Sequence, residues 1–142
     1  MRDGRRGEFA AFGWESEQIP DPQARETFER SRLDWAERER SPHAQLLAWH
    51  RALIRLRRSR PELADGAYRS VRVAFDAAAR WLALRRGDVE VVCNFSAQAR
   101  DVPVTGACTL LLASRPDVRA SAAELRLPPE CAAIVLHGEA PT

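Results

Sequence analysis

Lysine does not occur in this sequence, and all 22 of its basic residues are arginine. No function bars lysine from every solvent-facing position, so the bias reads as codon composition. An excess of charge is lacking too. Twenty acidic residues offset the arginines and leave a net charge of +2. That excludes the global cationic surface with which a chain binds nucleic acid or an anionic membrane. Cysteine is scarce: Cys93, Cys108 and Cys131 are odd in number and contain no Cys-x-x-Cys pair. This fits buried thiols in a reducing compartment better than a disulfide framework. No run approaches the ~20 apolar residues of a membrane-spanning helix. The stretch Met1 to Gly7 has charge but no apolar segment behind it, so it does not read as a signal peptide. A cytoplasmic protein without membrane contact is the expectation. His43 and His50 stand two turns apart on one helical segment, and His137 is remote. With no cysteine at ligand spacing to any of them, no metal site is expected. No Gly-rich phosphate loop or Ser-His-Asp set appears, and no cofactor is expected.

What is present falls into two halves of different pattern, with a break near Ala64-Asp65-Gly66. Residues 1–22 hold an apolar island, from Phe9 to Trp14, in a polar, Pro-punctuated segment. A short helix is predicted over residues 23–30, after the Asp21-Pro22 start signal. The strongest element is a helix over residues 42–59. Ser41 is a suitable N-cap and Pro42 suits the first helical position, where a missing N–H costs nothing. Leu46, Trp49, Leu53 and Leu56 recur at helical spacing, widened by Leu47 and Ile54. Arginines crowd the C-terminal end, where they complement the helix dipole, and Pro61 closes it.

Beyond residue 65 the signals are short strands. They are predicted near residues 69–75, 81–85, 89–95, 100–104, 108–113, 124–127 and 132–137. Val71, Val73 and Phe75 alternate with Arg72 and Ala74 as a half-buried strand requires. Arg86-Gly87-Asp88 reads as a tight turn, and Asn94-Phe95-Ser96 and Thr105-Gly106 as further turn or strand-end signals. Such strands at regular spacing predict an antiparallel β-sandwich.

The first half carries a resemblance. Thr27-Phe28-Glu29-Arg30-Ser31-Arg32-Leu33-Asp34-Trp35, then Ser41-Pro42-His43 and the long helix, resembles the tail of the α-amylase-type glycoside hydrolases, most closely that of the malto-oligosyltrehalose trehalohydrolases. Arg5-Arg6-Gly7-Glu8-Phe9-Ala10-Ala11-Phe12-Gly13-Trp14, Ile19-Pro20-Asp21-Pro22-Gln23, and Leu53 to Leu63 match the same family. The likeness is specific over residues 5–63 and general beyond them. It implies an α+β fragment: residues 1–65 as the tail of a catalytic (β/α)8 barrel, and residues 66–142 as the C-terminal β-sandwich. The β-half carries no motif that separates trehalohydrolases from branching or debranching relatives. The function implied is the C-terminal part of an enzyme that releases trehalose from malto-oligosyltrehalose by cleaving an α-1,4-glucosidic bond. Its partner would be the catalytic barrel, in cis or in trans, and its malto-oligosaccharide substrate would be met through that barrel.

Retaining glycoside hydrolysis needs a nucleophilic carboxylate and a proton-donating one across the scissile bond. In a barrel these come from the ends of several strands. No Asp or Glu here matches the family's motifs, so no catalytic residue is assigned, and the chain alone is expected to be inactive. Phe12 and Trp14 are the candidates for lining a substrate subsite, the alternative being packing in the barrel's outer layer. Glu15, Glu17 and Asp21 lie in the same polar loop. Asp34 is expected to bond backbone amides ahead of the long helix. Arg51, Arg55, Arg57, Arg58 and Arg60 read as a solvated helix face and not as a nucleic-acid stripe, because acidic neighbours dilute them and no aromatic platform interleaves. The competing reading is a freestanding, non-catalytic β-sandwich module that binds a glycan or a partner.

Overall fold

A computed structural model describes residues 4, 7–9, 12–13, 20–66, 68–121 and 123–138. The chain divides into two compact units, residues 1–44 and 45–142.

In the first unit, helix α1 (Arg25–Ser31) is followed by a 3-10 helix, Trp35–Glu39. Arg25 Nε meets Glu29 Oε1 at 2.8 Å across one turn of α1. The expected role of Asp34 is present: its Oδ1 accepts from Ala36 N at 3.0 Å, capping the 3-10 turn. Its other oxygen accepts from Arg40 NH2 at 2.6 Å. Helix α2 (His43–Ser59) begins in this unit and continues in the second. Pro42 lies one residue ahead of the first helical residue, so the anticipated start is shifted by a single position, within the usual scatter of helix ends. The apolar stripe of α2 is split. Trp49, Leu53 and Leu56 are half-buried, whereas Leu46 and Ile54 are more than half exposed.

The second unit holds the strands. These are β1 (Val71–Asp76), β2 (Trp81–Arg86), β3 (Val89–Asn94), β4 (Arg100–Pro103), β5 (Cys108–Ala113), β6 (Arg119–Ala120), β7 (Glu124–Leu127) and β8 (Cys131–His137). One sheet of five runs in the order β1-β2-β3-β8-β5, and one of three in the order β4-β7-β6. All pairings are antiparallel. Sequence pattern missed β6, which is two residues long and too short to show alternation. It also ran β1 too early: residues 68–70 form a 3-10 turn.

The turns follow from their residues. Between β2 and β3, Gly87 takes φ +56° in a two-residue loop, where an L side chain would be strained. Between β1 and β2, Asp76 Oδ1 accepts from Ala79 N at 2.8 Å and Arg80 reverses the chain at φ 58°.

The core lies between the sheets. Ala83, Val92, Ala133 and Val135 come from the larger sheet, and Val102, Leu125 and Leu127 from the smaller. In register, Ala83, Val92, Ala133 and Ala113 form one row across the larger sheet. Small side chains on that sheet leave room for the two leucines of the other, which are fully buried. Interdigitation of this kind gives native packing density.

The opposite face of the larger sheet is apolar as well. By register it presents Val73, Phe75, Leu82, Leu84, Val89, Val91, Cys93, Ala132, Ile134 and Leu136. Val89 and Ile134 on this face are buried, but Val73 and Phe75 at the β1 edge are more than half exposed. A strand that is apolar on both faces belongs to a sheet covered on both.

Candidate functional site

Of the two predicted substrate-lining residues, Phe12 is 73% exposed and its ring lies 6.3 Å from that of Phe9. Trp14 falls outside the described residues, as do Glu15 and Glu17. No grouping of Phe12 with Trp14 is therefore described.

The first unit instead offers a cleft of about 570 Å³ lined by Glu29, Arg32, Leu33, Asp34, Trp35 and Ala36. Trp35 is 71% exposed. Both carboxylates in the cleft are already engaged, Glu29 by Arg25 and Asp34 by Ala36 and Arg40. What remains is the exposed Trp35 ring and the Arg32 side chain, both of which line the cleft. Such a surface can stack on a sugar ring or pack against apolar protein, but it holds no carboxylate placed for acid–base work.

The second unit contains a buried polar pair that sequence reasoning did not identify. His137 Nε2 lies 2.6 Å from Glu90 Oε2, and its Nδ1 lies 3.2 Å from the Thr105 carbonyl oxygen. A carbonyl only accepts, so Nδ1 is the donor there, and Nε2 faces the Glu90 carboxyl across a short contact. The two side chains are 4% and 12% exposed. They stand 47 positions apart in the chain, and no local motif announces them. The only sequence clue is a His and a Glu inside two runs of otherwise apolar strand.

Cys108 is the register partner of His137 on β5 and β8, which places Cys, His and Glu together. The electrostatics are wrong for a nucleophile. Burial pushes the Cys108 thiol up from its ordinary value, and the Glu90 carboxylate pushes it further in the same direction. An activated thiolate needs a cation there. Burial likewise raises the Cys93 thiol, with a smaller contribution from Cys131. No cluster of three or more His, Cys, Asp or Glu suited to a metal ion occurs among the described residues.

These raised thiols have a measurable consequence. Alkylation of Cys93 and Cys108 by iodoacetamide, followed by mass spectrometry, is expected to be slower than that of free cysteine near the usual thiol pKa of ~8.5, and to keep rising above it. The folded chain holds these protons more tightly than the unfolded one. The resulting contribution to stability is intact below the ordinary thiol value and is lost as pH rises through the raised one.

His43 Nε2 is 3.7 Å from Glu37 Oε2 on the surface, and His50 Nδ1 is 2.8 Å from the Leu46 carbonyl oxygen within its helix. Arg51, Arg55, Arg57 and Arg58 are exposed, as a solvated face requires, whereas Arg60 is half-buried. Among the described residues, no helix is long and apolar enough to cross a membrane.

Comparison with known proteins decides what this assembly of parts is. A family model described as a domain of unknown function, DUF3459, matches residues 66–135; this domain stands at the C-terminus of α-amylase-type enzymes. The malto-oligosyltrehalose trehalohydrolase of Rhizobium sp. (strain M-11) is 46% identical over 133 residues, covering 94% of this chain and 22% of the relative. The chain corresponds to the C-terminal portion of the malto-oligosyltrehalose trehalohydrolases. That of Arthrobacter ramosus is 43% identical over 132 residues, with 93% and 22% covered. That of Mycobacterium tuberculosis (strain H37Rv) is 42% identical over 107 residues, with 75% and 18% covered. The chain thus spans about a fifth of the length of these trehalohydrolases.

Among solved structures, trehalulose synthase MutB from Pseudomonas mesoacidophila MX-45 matches with a TM-score of 0.52 at 26% identity, over 63% of this chain and 17% of the synthase. A mutant of the same enzyme, from crystals soaked with trehalulose, matches with a TM-score of 0.57 over 86% of this chain and 26% of that chain. At 22% identity that likeness speaks to the fold alone.

Proposed function

We propose that this chain acts as the C-terminal part of a glycoside hydrolase that releases trehalose from malto-oligosyltrehalose by cleaving an α-1,4-glucosidic bond. In this reading residues 1–65 close the catalytic barrel and residues 66–142 form the β-sandwich packed against it. The chain supplies no catalytic carboxylate. Phe12 and Trp14 line a substrate subsite once the barrel is complete.

The observation that carries the reading is the continuous 46% identity over 94% of this chain, which runs through both halves and not the sandwich alone. The structure supports it physically. Phe28, Leu33, Trp35, Leu46 and Ile54 are exposed in the segment assigned to the barrel, and the larger sheet is apolar on its outer face. Large exposed apolar residues in such number mark surface meant for a partner.

A chimera tests the proposal. The corresponding C-terminal portion of the Rhizobium trehalohydrolase is replaced by this chain, and trehalose release from malto-oligosyltrehalose is measured. Activity within about tenfold of the parent is expected, a loss no larger than one imperfect packing interface explains. The 142-residue chain by itself should release no trehalose above background. A well-folded but inactive chimera would count against the reading.

The alternative, a freestanding glycan- or partner-binding module, draws on one observation, the continuous core between the two sheets. Saturable binding of a malto-oligosaccharide by the chain alone, combined with an inactive chimera, would favour it.

A further inference from the structure

Three arginines on the β1–β2 hairpin and its approach stand apart from the close ion pairs that occupy other charges around them. Arg72 and Arg85 are directly opposed in the β1–β2 register. Like charges placed directly opposite one another on adjacent strands destabilise a sheet unless something neutralises them. Arg85 is fixed in place. Its Nε donates to the Gly87 carbonyl at 3.0 Å, and its side chain is 29% exposed. The nearest carboxylate, that of Asp88, lies 3.9 Å from Arg85 NH2, too far for a hydrogen bond. Next in the same row, β2–β3 register places Glu90 opposite Arg85, but its carboxylate is engaged by His137. On the other face of the hairpin Arg86 is paired with Asp65. Arg69 and Arg72 form no ion pair among the described residues. The three guanidinium groups, with Ser70 and Gly87, line a cleft of about 400 Å³, within the size range of small-molecule sites.

We infer that this cleft is an anion site and that its ligand is a phosphate group, free or carried on a small molecule. Guanidinium groups present planar, paired N–H donors that match phosphate oxygens bidentately, and they do not lose their charge on partial burial. A phosphate bound between Arg72 and Arg85 turns a repulsive cross-strand pair into a bridged one. The site therefore couples ligand binding to the stability of the β1–β2 edge.

The test uses the full chain at constant ionic strength, with chloride exchanged for inorganic phosphate or for glucose 6-phosphate. Saturable heat by titration calorimetry and a rise in melting temperature are expected from phosphate but not from chloride. The double variant R69Q/R72Q should weaken phosphate binding at least about tenfold, as the loss of charge-assisted hydrogen bonds implies. In phosphate-free buffer the same variant should melt no lower than the parent, because a repulsive pair has been removed. Arg55→Gln, an exposed arginine of α2, serves as the control and should bind as the parent does. Tighter binding of glucose 6-phosphate than of inorganic phosphate assigns the site to a phosphorylated sugar, and equal binding assigns it to free phosphate. A shift no larger than that of chloride, or one retained in R69Q/R72Q, overturns the inference.

Discussion

Asn94→Asp, a change of one atom group, is expected to destabilise the β-sandwich by about 3 kcal/mol or more at neutral pH, the scale of an uncompensated buried charge. Asn94 is 1% exposed and lies at the end of β3. Its Nδ2 donates to the Gln98 and Pro128 carbonyl oxygens at 2.8 Å each, with a longer 3.4 Å approach to the Leu127 carbonyl oxygen. Its Oδ1 accepts from Ser96 N at 2.9 Å. One amide thus ties β3, the turn after it and the end of β7 together, and so joins the two sheets. Aspartate keeps the shape but sets an acceptor against acceptors, so the carboxylate must take up a proton or force the turns apart. Urea denaturation followed by circular dichroism checks this. The sign with pH is fixed by the same geometry. A protonated carboxyl can donate to a carbonyl, so the variant should regain stability as pH falls, whereas the parent should not. Asn94→Asp with parental stability at neutral pH would show that the amide is not the tie described.

The second large effect is expected at the buried His137–Glu90 pair. His137→Ala leaves the Glu90 carboxyl, 12% exposed, without its partner. Removing one member of such a pair costs about 3–5 kcal/mol. Replacing both by leucine is a different perturbation, since no orphaned charge remains. A double variant E90L/H137L is expected to recover most of that loss, because desolvating two charges offsets much of what their attraction returns. Equilibrium unfolding of E90L, H137L and the double variant closes the cycle and gives the coupling directly. A double variant as unstable as the sum of the two singles would mean that the pair acts through packing alone.

Alternation and turn chemistry made most of the β-half legible. The hairpin at Gly87 and the strands that carry Val71, Val73, Leu125, Leu127 and Val135 follow from local pattern, since apolar residues on one face recur two positions apart. What could not be read were features made by distant residues. Asn94 shows in sequence only as a turn residue, because the carbonyls it holds come from Pro128 and Leu127, more than thirty positions away. His137 stood isolated in sequence for the same reason: Glu90 meets it only after β3 and β8 have paired. The long helix showed a single apolar stripe, and the structure divides it into a half-buried face and an exposed one. Periodicity reports which residues prefer to leave water, not which of them find cover within this chain. At the candidate site, Asp34 was legible as a cap because its partner, Ala36, is two residues on. The cleft beside it was not, because its shape depends on how α1 meets the 3-10 turn.

The outer strand of the larger sheet has one further implication. Among the described residues β1 pairs only with β2, and along its length Val73 and Phe75 are exposed while Arg72 and Asp76 flank them. Among the described residues nothing pairs with its second backbone edge, and such an edge is a template onto which another extended segment can add through main-chain hydrogen bonds. Charged residues interrupting the apolar positions are the usual guard against such growth. Arg72 is thus placed, with no ligand involved, to oppose the addition of a neighbouring copy of this chain to the sheet edge.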